Sequence, residues 1–169
     1  SPFTNQFLEF LTVTGGAGGN SASGAGGAGG RVSGIYVPIS ELSELELSAG
    51  NGGNGNGGSG GVGGSVANVQ IFDRQDEAVL PIVVQAGAGG DGLRAGGAGG
   101  GVSSFAYFGQ LASLAVTGGA GGSGTDPTVA RASGGNGGSL SGIALSVGDV
   151  SALAFSTLAA GNGGDAVGS

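Results

Sequence analysis

Glycine in this chain comes as runs of Gly-Gly-X triplets, and every other segment has to fit around them. The runs are Gly15-Gly-Ala-Gly-Gly-Asn20, Gly26-Gly-Ala-Gly-Gly-Arg31, Gly57-Gly-Ser-Gly-Gly-Val-Gly-Gly64, Gly96-Gly-Ala-Gly-Gly-Gly101 and Gly134-Gly-Asn-Gly-Gly-Ser139. In all, 45 of 169 residues are Gly, against a usual share of ~7 %. Helix is excluded, because each interior Gly costs ~1 kcal/mol relative to Ala and no apolar 3.6-residue period is sustained. A flexible coil is the ordinary fate of such a composition. The ordered alternative is polyglycine II, an extended helix of three residues per turn with the backbone shape of polyproline II. Three residues per turn put X on one face and bare Gly on the other two, so neighbouring backbones can approach and pair their amides. The recurrent placement of the runs between apolar strands favours the ordered form. The glycines expected to pack run against run are Gly15, Gly16, Gly18, Gly19, Gly26, Gly27, Gly29, Gly30, Gly57, Gly58, Gly60, Gly61, Gly96, Gly97, Gly134 and Gly135.

Between the glycine pairs lie apolar segments of strand character. The outgoing ones are Val32–Ile39, Val66–Phe72, Val102–Phe108 and Leu140–Val147, and the returning ones Leu42–Leu47, Ala78–Val84, Leu111–Val116 and Leu153–Leu158. Val, Ile, Phe and Tyr dominate the outgoing set, as strands prefer. Short polar links rich in Asn, Asp, Gly and Ser join the two runs of each pair and read as turns. Searching for repeats, one finds run-starting segments at Thr14, Ala49, Ala86, Thr117 and Ala160, roughly 31–43 residues apart. The expected architecture is all-β with polyglycine II: units of strand, glycine run, turn, glycine run and strand, in which a strand layer joins packed glycine helices. Residues 1–169 form a single repeat domain: an apolar strand segment 1–13, four units over 14–149, and an unfinished unit 150–169.

Composition removes whole classes of function. The net charge is −7 with four basic residues, all Arg, too few to displace counterions from a nucleic acid. The chain has no His or Cys, hence no imidazole base, thiolate nucleophile or soft metal ligand. Gly55-Asn-Gly-Gly-Ser-Gly60 matches a dinucleotide fingerprint in letters, but no helix follows to receive a pyrophosphate. Gly57-Gly-Ser59-Gly-Gly61 matches a nucleophile elbow but has no triad base. Asp73, Asp76 and Glu77 read as a solvated turn rather than a calcium site. No catalytic residue, cofactor or metal is expected, and no apolar run reaches the ~18 residues of a membrane span.

The triplets Gly15-Gly-Ala-Gly-Gly-Asn20 and Asn51-Gly-Gly-Asn-Gly-Asn-Gly-Gly-Ser-Gly-Gly61 resemble the glycine-rich repeats of mycobacterial PE-PGRS surface proteins and the polyglycine sandwich of phage tail-fibre adhesins. Both resemblances cover the glycine runs alone. They imply packed threefold glycine helices in an extracellular setting.

A stack of like units has two ends that solenoids normally cap with polar residues, and neither end here carries such a cap. Phe3, Phe7, Leu8, Phe10, Leu11 and Val13 make the N-terminal segment apolar, while Leu153, Phe155 and Leu158 belong to the unfinished unit. These residues are the expected self-association surface. Head-to-tail contacts that do not close propagate as filaments. The expected function is therefore a structural subunit of a self-assembling extracellular filament or surface matrix, with copies of itself as partner. A chain beginning at Ser1 fits removal of an export leader. The alternatives are a receptor-binding surface adhesin using loops such as Ser123–Ser133, then an ice-binding face or a disordered matrix protein.

Overall fold

The computed structural model describes residues 10–39, 43–73, 80–126, 128, 132–147 and 155–166. Among them lie nine strands and no helix: β1 (Phe10–Thr14), β2 (Val32–Ile39), β3 (Glu44–Ser48), β4 (Val66–Asp73), β5 (Leu80–Gln85), β6 (Val102–Gly109), β7 (Leu111–Thr117), β8 (Leu140–Val147) and β9 (Phe155–Ala159). The apolar segments picked out by propensity are thus strands, with ends shifted by a residue or two. Of the expected N-terminal strand, Phe10–Thr14 lies in the described residues; Phe3, Phe7, Leu8, Leu42, Ala78 and Leu153 lie outside them.

The strands sort by turns into two sheets, ordered β1-β3-β5-β7-β9 and β2-β4-β6-β8. Every pairing is parallel. Parallel neighbours need a crossover, and here it runs through one glycine run, a turn and a second glycine run into the opposite sheet. After each even strand the next strand lies in the first sheet, one level further on. The result is a solenoid-like stack. Between β6 and β7 the link is the single residue Gln110, whose carbonyl accepts the Tyr107 hydroxyl at 2.5 Å.

Register places like residues over like. Val13, Leu47, Val84, Val116 and Leu158 form one column of the five-stranded sheet, and Leu11, Leu45, Ile82 and Leu114 another, which passes to Ser156 on β9. Leu45, Leu47, Ile82, Val84, Leu114 and Val116 of these columns meet Val69, Ile71, Phe105 and Tyr107 of the four-stranded sheet in one buried cluster, with Leu11 and Val13 partly buried against it. Removing such side chains from water contributes ~1.5–3 kcal/mol each. On β3 the alternation is strict: Leu45 and Leu47 are buried, Glu44 and Glu46 exposed.

The four-stranded sheet breaks that alternation at one level position. Its inward residues are Val66, Val69 and Ile71 on β4, and Val102, Phe105 and Tyr107 on β6, a spacing of three and then two. The residue that absorbs the extra step is left-handed on every strand: Gly34 (φ 71°), Asn68 (φ 54°), Ser104 (φ 53°) and Gly142 (φ 61°). The four stack in a column that the pairing register skips.

The glycine half has no side-chain core. A Cβ built on most of its glycines would come within 1.8–2.3 Å of a carbonyl oxygen of a neighbouring run. Backbone packs directly on backbone, and this half is held by main-chain hydrogen bonds.

Candidate functional site: the open ends of the stack

Those hydrogen bonds repeat every third residue. In the run after each odd strand, the first Gly of a triplet donates to an X carbonyl one level up: Gly18 N–H to Asn51 O, Gly52 to Ala88, Gly89 to Ala120 and Gly121 to Asn162, each 2.8 Å. The second Gly donates across to the opposite run one level down, as Gly53 N–H does to Gly27 O at 2.8 Å and Gly90 N–H to Gly61 O at 2.8 Å. The run before each even strand follows the same rule: Gly26 N–H donates to Ser59 O, Gly60 to Ala95 and Gly96 to Ser133.

The N–H of X points down the stack. Where the X below is Asn or Asp, its side chain receives that donor. Asn20 Oδ1 accepts Asn54 N–H at 2.7 Å, Asn51 Oδ1 accepts Ala88 N–H at 2.8 Å, Asn54 Oδ1 accepts Asp91 N–H at 2.9 Å, and Asp91 Oδ1 accepts Ser123 N–H at 2.7 Å. Sequence reading passed over this ladder, although its signal was present as Asn or Asp recurring at X.

All bonds of one kind point the same way, so the stack is polar and its two ends differ. At the β1 end, the Ala17 and Asn20 carbonyls hold the place that Asn51 and Asn54 hold one level up, and no donor among the described residues reaches them. At the β9 end, Gly163 and Ala166 hold the place of Gly121 and Gly124, and their N–H groups meet no acceptor among the described residues. Asn162 and Asp165 stand above Ala120 and Ser123 as the last X residues of that column, with their side chains exposed. Acceptors spaced by three close one end and donors spaced by three close the other.

The β1 end carries a steric counterpart. In the second-Gly column a Cβ would meet the carbonyl one level down at 1.9 Å for Gly50, 2.2 Å for Gly53, 1.9 Å for Gly87 and 2.1 Å for Gly90. At Gly16 and Gly19, the same column's lowest members, it would meet nothing within 4 Å. Among the described residues nothing requires Gly at either position.

The β9 end is stepped. The five-stranded sheet extends to β9, while the four-stranded sheet ends at β8. Leu158 shares its column with buried Val116 yet is 54 % exposed, and Leu145 shares one with buried Tyr107 yet is 40 % exposed. Beside β8 and its glycine run, no described residue occupies the next half-level.

The expected self-association residues therefore divide. Leu11 and Val13 are partly buried against the core at one edge of the five-stranded sheet, and Leu158 lies at the opposite edge. Phe10 takes the other parity on β1 and is 61 % exposed. Phe155 registers with Ser113, opposite in parity to Leu158. All sixteen packing glycines lie in the runs. Except for Gly16 and Gly19, a Cβ at any of them would come close to a neighbouring run or link.

Elsewhere, Tyr36, Phe72 and Phe108 form an outward aromatic strip, with centroids 5.6 and 4.8 Å apart and the second pair stacked. An open groove of about 510 Å³ crosses the strand-to-glycine junction; it is lined by Thr14, Gly16, Ser48, Asn51 and Gln85 among others, none of them charged. Among the described residues no cluster of three or more His, Cys, Asp or Glu could hold a metal. Asp73 ends β4, while Asp76 and Glu77 lie outside the described residues. No described helix is long and apolar enough to cross a membrane. No protein-family model, curated protein or solved structure matches the chain.

Proposed function

We propose that the glycine runs are polyglycine-II helices and that the chain is the subunit of a head-to-tail filament outside the cell. The period of three in the run-to-run hydrogen bonds supports the first part. The observation that carries the second is the match between the ends. Gly163 and Ala166 offer donors at the spacing at which Ala17 and Asn20 offer acceptors. Asn162 and Asp165 stand where Asn51 and Asn54 stand when they receive the amides of the next level. A second copy placed with β1 beside β9 continues the five-stranded sheet and both ladders. It also gives Gly16 and Gly19 the close carbonyl approach for which their bare Cα suits them. A contact of this heterologous kind does not close, so it propagates. The extracellular setting fits a chain without Cys, Met, Trp or His, and so with few readily oxidised side chains.

The test is the double variant Gly16→Val with Gly19→Val, viewed by negative-stain electron microscopy beside the parent chain. Neither new Cβ meets an atom of the described residues within 4 Å, so the expected monomer keeps its fold by circular dichroism. The parent forms uniform unbranched filaments and the variant none. Filaments of the variant, or a parent chain that stays monomeric at high concentration, would refute the filament reading; a monomeric parent would direct attention to an adhesin module.

A further inference from the structure

We infer that Asn56 is a site of spontaneous deamidation, and that the run-to-run ladder protects Asn51 and Asn54 from the same reaction. The inference goes beyond the proposed function and does not depend on filaments.

All five Asn-Gly pairs of the chain stand in Gly-Asn-Gly, at Asn51, Asn54, Asn56, Asn136 and Asn162. The first three lie inside the stack, with described levels on both sides of them. Their flanking residues are identical, so the unfolded chain gives all three the same reactivity and any difference between them comes from the fold. Asn is a thermolabile residue. A following Gly makes it more so, because no side chain shields the Gly nitrogen and its backbone turns freely.

The reaction is a ring closure followed by hydrolysis. The backbone nitrogen of the Gly attacks the Asn Cγ, and the new N–C bond closes a five-membered succinimide. The side-chain amide leaves as ammonia and takes the proton of the attacking nitrogen with it. Water then opens the ring at either carbonyl. Opening at Cγ gives Asp, and opening at the backbone carbonyl gives isoaspartate. One water is consumed and one ammonia released, and no oxidant takes part.

Closure needs the Gly nitrogen and the Asn side chain to be free together. At Asn51 neither is. Gly52 N–H donates to Ala88 O at 2.8 Å, which keeps the proton on the nitrogen. Asn51 Oδ1 accepts Ala88 N–H at 2.8 Å, which holds the side chain up the stack and away from Gly52. Asn54 is held in the same way: Gly55 N–H donates to Asp91 O at 2.8 Å, and Asn54 Oδ1 accepts Asp91 N–H at 2.9 Å.

Asn56 stands in the link between the two runs. Asn56 and Gly57 are the middle residues of a turn that Gly58 N–H closes on Gly55 O at 3.2 Å, a pair that turns favour. Asn56 N–H donates to Ser21 O at 2.9 Å, which anchors the turn and leaves the reacting groups alone. Among the described residues no hydrogen bond engages the Asn56 side chain or the Gly57 N–H. Both residues are exposed to the water that the second step consumes. At Asn51 and Asn54 two hydrogen bonds must open first, which corresponds to a rate about 30-fold lower.

The test is to hold the parent chain in mildly alkaline buffer, folded and in urea, and to follow the three sites by mass spectrometry. Cleavage after Arg31 and Arg74 places them in one peptide, 32–74. Fragmentation of that peptide assigns the conversion to each Asn and separates Asp from isoaspartate. In the folded chain Asn56 should convert roughly 30-fold faster than Asn51 or Asn54, and in urea the three should convert alike. The Gly16→Val/Gly19→Val chain should show the same contrast, so loss of filaments and loss of the contrast are separate results. Equal rates in the folded chain, an Asn56 that converts only in urea, or a contrast that persists in urea would overturn the inference.

Discussion

At Gly90 an added Cβ would lie 2.1 Å from the Gly53 carbonyl oxygen, and at Gly16, likewise the second Gly of its triplet, it would meet nothing within 4 Å among the described residues. The two glycines look alike in sequence, yet they should respond oppositely to Ala. Gly90→Ala forces apart two runs that share hydrogen bonds, and a loss of ~3 kcal/mol is expected, at the upper end of ordinary overpacking. Gly16→Ala removes conformational freedom from the unfolded chain and should stabilise the monomer by ~0.4–1 kcal/mol. Urea unfolding of the two variants beside the parent checks both signs; a neutral Gly90→Ala would mean the runs are not packed as described. The triplets were legible as threefold packing units because Gly repeats in them. Which glycines face a neighbour and which face an open end was not, because that depends on level rather than local sequence.

The positions of the strands were legible because each apolar segment is flanked by Gly or turn residues. Their parallel order was not, since partners lie a whole unit apart and nothing local records the pairing. Nor was the left-handed column at Gly34, Asn68, Ser104 and Gly142, because only two of its members are Gly and a lone Ser reads as an ordinary strand residue. The same gap explains Phe10 and Phe155: counted as apolar residues they joined one surface with Leu11 and Leu158, but strand parity separates them. The left-handed column also makes an element-level prediction. Ser104 holds φ 53° on a strand whose neighbours fix that bend, and a left-handed non-Gly residue costs ~1–2 kcal/mol. Ser104→Gly recovers that strain less the ~0.5–1 kcal/mol entropic cost of Gly. The expected outcome is a net gain of about 0.5–1 kcal/mol, seen as a higher midpoint in denaturant with an unchanged slope. A loss of stability would mean that the Ser104 side chain contributes more than its strain costs.

Over the whole molecule, the ladder of Asn and Asp at X makes the polarity of the stack chemical as well as geometric. Asn162 and Asp165 have no amide above them among the described residues, so in a filament they act across the junction alone. Replacing both by Ala should leave monomer stability unchanged. At ~1 kcal/mol per net hydrogen bond, it should raise the critical concentration for filaments on the order of 30-fold, measured by sedimentation across a dilution series. An unchanged critical concentration would place the junction elsewhere. The apolar character of the two end strands was legible in the sequence; the step at β9 was not, because it arises from the offset between two sheets.

That successive levels repeat the same order of strand and glycine run in register has a consequence for how such a chain can vary. Ser48 and Gln85 occupy one column, and Ala49 and Ala86 the next. A chain that passed from Ser48 directly to Ala86 would therefore keep each remaining column intact and be shorter by one step of ~4.8 Å, the spacing of hydrogen-bonded strands. Duplication of the same stretch would add one step. The molecule is in this sense a ruler whose graduations are whole repeats, and its reach can change in fixed increments without any new fold being invented.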